Sequence, residues 1–265
     1  MNRLLKLLIS SLIALFTIQA QAMDVVELRQ ENSNKVVVKI RFENGSIADP
    51  ADKAGLTYAT ASMMAEGGAG GMSYADIKDK MHPWAANYYV STDKQVTTFT
   101  FQVPVDFIDE FYPLIKNAVL APNFSEKDFT RVMKAQQNYV DQVVRASSDE
   151  EYSKYALEHQ LFRGGNMQHL KQGTSASVKT ITLDDIKTHY QDVFTRHNVM
   201  LGIAGNYSDE LLKKLKADLA KLPDKSYTPP KPSMARKADG IEVEIISKEN
   251  AFGSAIFTGA PLGIT

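Results

Sequence analysis

Gly55-Leu56-Thr57-Tyr58-Ala59-Thr60-Ala61-Ser62-Met63-Met64-Ala65 is the stretch on which the reading of this chain turns. It carries neither proline nor charge, and it is followed by Gly67-Gly68, where a glycine can take the left-handed conformation that ends a helix. A helix from about Pro50 to Ala65 is the expectation. Upstream the period changes. Val25 to Arg29 and Lys35 to Phe42 alternate apolar and polar residues as strands do, with turn-forming Asn32-Ser33-Asn34 between them. Trp84 to Val90 and Gln95 to Val103 read as two further strands, the second a Thr/Phe/Val run of period two.

Helical spacing then takes over. Phe107, Ile108, Phe111, Leu114, Ile115 and Val119 fall on one face. Ser125 followed by Asp128, and Thr182 followed by Asp185, have the form of N-caps with an acidic residue in the first turn. A strand from Val199 to Ala204 leads into a helix from near Ser208 to near Leu222. The fold class is α+β.

The two ends have other compositions. Arg3 and Lys6, an apolar run from Leu7 to Ile18 too short to span a bilayer, and the small-x-small Ala20-Gln21-Ala22 describe a signal peptide over residues 1–22. Residues 23–222 form the main module. Pro223, Pro229, Pro230 and Pro232 make residues 223–239 a semi-rigid linker. Beyond it, Val243-Glu244-Ile245, Glu249-Asn250 and Ala255-Ile256-Phe257 echo Val26-Glu27-Leu28, Glu31-Asn32 and Val38-Lys39-Ile40, so residues 240–265 read as the first hairpin of a second module.

Composition bounds compartment and partners. Of 265 residues none is cysteine, which excludes a disulfide scaffold and a lipid-anchored lipoprotein and fits export to the periplasm or beyond. Removing the signal peptide takes away Arg3 and Lys6, leaving 28 basic residues against 31 acidic ones and a net charge near −3. No Lys/Arg block or aromatic-basic interleaving is present, so a nucleic-acid partner lacks its electrostatic footprint. Once the leader is cleaved, no membrane segment is expected to remain.

Most reaction chemistries find no support. The histidines at 82, 159, 169, 189 and 197 include no pair one helical turn apart. Glu66-Gly67-Gly68-Ala69-Gly70-Gly71 lacks the Lys-Ser/Thr that would follow a phosphate-cradling loop. There is no Gly-x-Ser-x-Gly elbow, and no cysteine nucleophile can exist.

Several signposts in order carry a resemblance. Gly55 to Met64, then Glu66-Gly67-Gly68, Tyr74-Ala75-Asp76-Ile77, Asn87-Tyr88-Tyr89-Val90-Ser91-Thr92-Asp93, Gly173-Thr174, Ile181 to Ile186 and His197 to Gly205 are similar to the signposts of the insulinase/pitrilysin metallopeptidases. That family includes the mitochondrial processing peptidase and its non-catalytic partner subunit. The resemblance implies a metallopeptidase-like module with a mixed or antiparallel sheet packed against helices, of which this chain holds the N-terminal half. It also implies a His-x-x-Glu-His helix, with two imidazole ligands flanking a general base. Tyr58, Ala61 and Ser62 stand at those places. Zinc takes imidazole, thiolate or carboxylate, and none of the three supplies one. The family's third ligand, a glutamate on a later helix, counts to Asn138 from one side and to Asp141 from the other.

No catalytic residue, no metal ligand and no cofactor is therefore expected in this chain, with zinc only in a partner. The implied role is that of a catalytically silent half paired with an active zinc-peptidase homologue. Asn87, Tyr88, Tyr89, Val90 and Ser91 are the candidate strand for holding an unfolded peptide by backbone hydrogen bonds, which do not depend on the lost ligands. The alternative is that Tyr88 and Val90 fill the core while Tyr89 and Ser91 face out. Two other functions stand beside the first: an active zinc metalloendopeptidase using unrecognised ligands, and a stand-alone periplasmic peptide-binding protein.

Overall fold

The computed structural model describes residues 23–146 and 149–233, together with Val243 and Ile245. The expected signal peptide and most of the expected second module lie outside the described residues. Five strands, β1 (Asp24–Arg29), β2 (Lys35–Phe42), β3 (Asn87–Thr92), β4 (Thr97–Pro104) and β5 (Val199–Gly205), form one sheet in the order β1-β5-β2-β4-β3. The helices are α1 (Leu56–Glu66), α2 (Tyr74–Met81), α3 (Ile108–Leu120), α4 (Glu126–Asn138), α5 (Asp149–Leu161), α6 (Ser175–Val178), α7 (Leu183–Val193) and α8 (Asp209–Leu219). The α+β class and the mixed sheet hold: β1 runs parallel to β5, and the other pairings are antiparallel.

Alternation along the strands builds the core. Val36, Val38, Ile40 and Phe42 of β2, Phe99, Phe101 and Val103 of β4, and Leu201 and Ile203 of β5 are all buried on one face. Ala61 and Met64 of α1, Phe111 and Ile115 of α3, and Leu215 and Leu219 of α8 join them in one cluster. Each large side chain so buried contributes roughly 1.5–3 kcal/mol by transfer from water. The opposite side of α1 faces a second cluster, in which Leu56, Ala59 and Met63 meet Val132 of α4 and Ile181, Leu183 and Ile186 around the start of α7. Helix α1 is thus buried on two sides, and only Tyr58 and Glu66 along it are partly exposed.

Four details differ from the sequence reading. Helix α1 starts at Leu56 and not near Pro50, because Gly55 is left-handed (φ 95°) and breaks the helical run ahead of it. The Asp49 carboxylate takes the backbone N–H groups of Gly55 and Thr57 at 2.7 Å each, satisfying donors that a longer helix would have used. β1 and β2 are not a hairpin, since β5 lies between them and pairs with both. The strand expected from Trp84 begins only at Asn87: Pro83 sits in a 3-10 turn over His82–Trp84, and Ala85 is left-handed (φ 50°). β4 begins at Thr97, with Gln95 in the connection from β3.

The capping expectations hold. Ser125 accepts from the Asp128 N–H, and Thr182 forms a reciprocal capping box with Asp185. Residues 223–233 have no regular secondary structure but pack back on the module. Asn166 binds the Lys231 carbonyl at 3.0 Å and accepts from the Ser233 N–H at 2.9 Å.

Candidate functional site

Helix α1 places Tyr58, Ser62 and Glu66 on one stripe, because residues four apart lie above one another. Tyr58 is half-buried, and burial raises its phenol above the ordinary range, as do the nearby Glu66 carboxylate and Tyr139. Hydrogen bonding to Ser62 and Gln172 opposes that rise. Ser62, 8% exposed, is held beneath the phenol. Ala61 is completely buried among the core residues on the sheet side of α1. At these three positions the protein offers a phenol, a methyl and a hydroxyl in close packing.

Glu66 is the one carboxylate on this stripe, and it is engaged. Arg131 of α4 donates to its side chain at 3.4 Å and to its backbone carbonyl, lies over the Tyr74 ring at 5.5 Å and also pairs with Asp128. Of the two counts for a third ligand, Asn138 immediately precedes a π-helical turn over Tyr139–Val143 and Asp141 lies within it. Asn138 is exposed. Asp141 accepts from Gln137 Nε2 at 2.7 Å, and hydrogen bonds from Ser175 and Gln137 hold its carboxyl below the usual range. Tyr139, between them, is the residue whose side chain neighbours Tyr58.

The histidines are dispersed: His159 bonds Gln168, His189 bonds Thr57 and His197 bonds Asp224, at 2.7–2.8 Å. Among the described residues no group of three or more His, Asp or Glu side chains is placed to hold a metal ion. The residues at the family's zinc positions do not fit zinc. Sequence reading missed Glu66, Tyr74, Arg131, Tyr139 and Gln172 as members of this cluster. The four-residue stripe through 58, 62 and 66 was the available signal for Glu66; the others arrive from distant segments.

β3 lies at the edge of the sheet, beside α1, and among the described residues pairs only with β4. The Tyr88 hydroxyl donates to the Ala65 carbonyl at 2.8 Å, tying the strand to the end of α1. Tyr88 is buried and Val90 packs against the core, whereas Asn87, Tyr89 and Ser91 are exposed, Tyr89 by 54%. Side chains of β3 therefore do fill the core, and the outer backbone edge is still open.

The family model for insulinase (peptidase family M16) matches residues 25–172. The chain belongs to the insulinase family. A curated relative of this insulinase-family chain, the non-peptidase homolog YmxG of Helicobacter pylori, is 26% identical over 277 residues, covering 98% of this chain and 61% of the relative. The chain thus spans less than two thirds of that relative's length. Among solved structures, the peptidase M16 inactive domain from Pseudomonas fluorescens superposes with a TM-score of 0.72 at 18% identity, over 81% of this chain and 52% of that one. A protease from Helicobacter pylori superposes with a TM-score of 0.67 at 14% identity, over 80% and 51% of the two chains. Both share this fold.

Proposed function

We propose that this chain is a non-catalytic insulinase-family protein, exported to the periplasm or beyond, that serves as the partner half of a two-chain zinc peptidase and holds extended peptide along β3. The observation that carries the reading is the contrast within one site: Tyr58, Ala61 and Ser62 replace the whole ligand and base set, while the edge strand beside them keeps an open backbone face. A peptide added to that edge gains main-chain hydrogen bonds whatever its sequence, which suits unfolded substrates. Relatives called a non-peptidase homolog and an inactive domain support the silent role.

The test pairs this chain with a homologue that carries His-x-x-Glu-His and follows hydrolysis of an unstructured peptide. The reading expects the two to co-elute and to cleave faster than the homologue alone. Separate elution with unchanged rates would reject the partner role. The open edge of β3 also supports a second reading, a stand-alone peptide-binding protein, which expects peptide binding with no effect on any peptidase.

A further inference from the structure

The flanks of α1 are shared out unevenly. Ala61, Met64 and Ala65 pack into the sheet-side cluster, Leu56, Ala59 and Met63 into the cluster with α4 and α7, and the Thr57 hydroxyl meets His189. The remaining flank, with Tyr58, Ser62 and Glu66, is the floor of a groove. β3 is one bank, tied down where the Tyr88 hydroxyl donates to the Ala65 carbonyl, and α4 is the other, where Arg131 reaches Glu66. A peptide strand paired to the open edge of β3 turns every second side chain to the helix face of the sheet, as Tyr88 and Val90 are turned, and so into this groove.

What those side chains meet is a carboxylate among phenols. The Glu66 side chain is 47% exposed. Burial, and after it the Glu66 charge, raise the phenols of Tyr58 and Tyr74, and Tyr88 is raised by burial and then by Tyr74 and Glu66. Three neutral rings from α1, α2 and β3 therefore stand within electrostatic reach of one anion. Arg131 does not cancel that anion. Its guanidinium engages the Glu66 backbone carbonyl, Asp128 at 3.2 Å and the Tyr74 ring, and it meets the Glu66 carboxylate only at 3.4 Å. Among the described residues no hydrogen bond reaches Glu66 Oε1.

We propose that this groove is a subsite for one basic side chain, lysine or arginine, of a peptide lying on β3; the assignment rests on β3 being the peptide platform. Glu66 supplies the counter-charge, and the ring face of Tyr58 supplies cation–π attraction. Lysine and arginine also have the length to cross from the strand layer to the helix layer, with an apolar stem along the rings and the charge at the tip. A short or apolar residue leaves Glu66 to water, and an acidic one is repelled.

Fluorescence anisotropy of the full chain with labelled, unstructured peptides that differ at one central residue tests this. Lysine there should bind about tenfold more tightly than norleucine, which has the same stem without the charge; an exposed ion pair and an exposed cation–π contact together supply that factor. Glutamate should bind more weakly than either. Glu66→Gln should remove the preference for lysine over norleucine. Glu31→Gln, which neutralises an exposed acid in the turn after β1 at the far edge of the sheet, should keep it, and this separates the subsite from the net negative charge of the protein. Ser91→Pro should weaken all the peptides alike. Equal binding of the lysine and norleucine peptides, or a preference that survives Glu66→Gln, would overturn the subsite and leave the platform standing. Binding of no peptide, or undiminished binding by Ser91→Pro, would reject the platform and the subsite with it.

Discussion

The Thr57 hydroxyl lies 2.8 Å from His189 Nε2, joining the first turn of α1 to the buried face of α7. The Thr57 backbone N–H meanwhile donates to Asp49 Oδ1 at 2.7 Å, so one residue links a buried imidazole to a carboxyl turned in from the protein surface. The two groups are shifted in opposite directions. Burial lowers His189 from 6.5 to about 4, against a smaller raising effect of Asp192. Burial raises Asp49 from 3.8 to about 7, against hydrogen bonds from Thr57, Gly55 and Leu56 that favour its charged form.

Both shifts act on stability between about pH 4 and 7, with opposite signs. Neutral His189 contributes stability that is complete above 6.5 and is lost as pH falls toward 4, where the folded state must also take a proton; the shift is worth about 3 kcal/mol. Asp49 takes its proton more readily when folded, so its contribution grows as pH falls from 7 toward 3.8. Asp49→Asn should steepen acid destabilisation, and His189→Gln should remove it or reverse it. Urea denaturation at pH 7.5 and pH 5 measures both slopes. Identical slopes in the two variants would refute the opposed pair.

Gly173 packs against the Ala54 carbonyl with φ +86°, where a Cβ would collide with backbone that cannot yield. Gln136 fixes the same junction, its Nε2 donating to the Gly55 carbonyl at 3.0 Å and the Gln172 carbonyl at 2.9 Å. Gly173→Ala should cost at least about 3 kcal/mol, combining left-handed strain with the clash. Gly71→Ala has a similar φ of +80° but open space around it, and should cost only about 1 kcal/mol. Thermal denaturation of the two variants side by side separates collision from strain.

Much of this architecture was legible locally. The caps at Ser125 and Thr182, and the strands with period two, are written in neighbouring residues, and there sequence and structure agree. The insertion of β5 between β1 and β2 was not legible, because the pairing of Val36 with Gly205 joins segments that no short pattern connects. The start of α1 was misplaced for a related reason: its cap, Asp49, lies six residues before Gly55 and outside the usual N-cap spacing. At the candidate site, the substituted positions could be read directly. The Glu66–Arg131–Tyr74 cluster could not, since it is assembled from three elements.

Met63 is completely buried in the cluster with Leu56, Val132 and Ile186, so Met63→Ala should cost about 2–5 kcal/mol. Ser62→Ala, one residue away, removes a hydroxyl hydrogen-bonded to the half-buried Tyr58 and should cost less than about 1 kcal/mol. Chemical denaturation decides. A loss at Ser62 as large as that at Met63 would mean the former ligand position has become part of the structural core.

Ser91 is exposed on β3, where a proline removes a backbone donor and disturbs pairing. Fluorescence anisotropy of an unstructured peptide should show weaker retention by Ser91→Pro and unchanged retention by Ser91→Ala, which keeps the N–H. Parental binding by both variants, with the fold intact by circular dichroism, would remove β3 as the peptide platform.

The central claim is that the former zinc helix has no metal function, and the zinc content of the full chain, measured by elemental analysis after exposure to zinc and removal of excess, tests it most directly. The account predicts no stoichiometric zinc, because Tyr58, Ala61 and Ser62 cannot make a ligand set. One equivalent of bound zinc, released by chelator with loss of peptide cleavage, would contradict it.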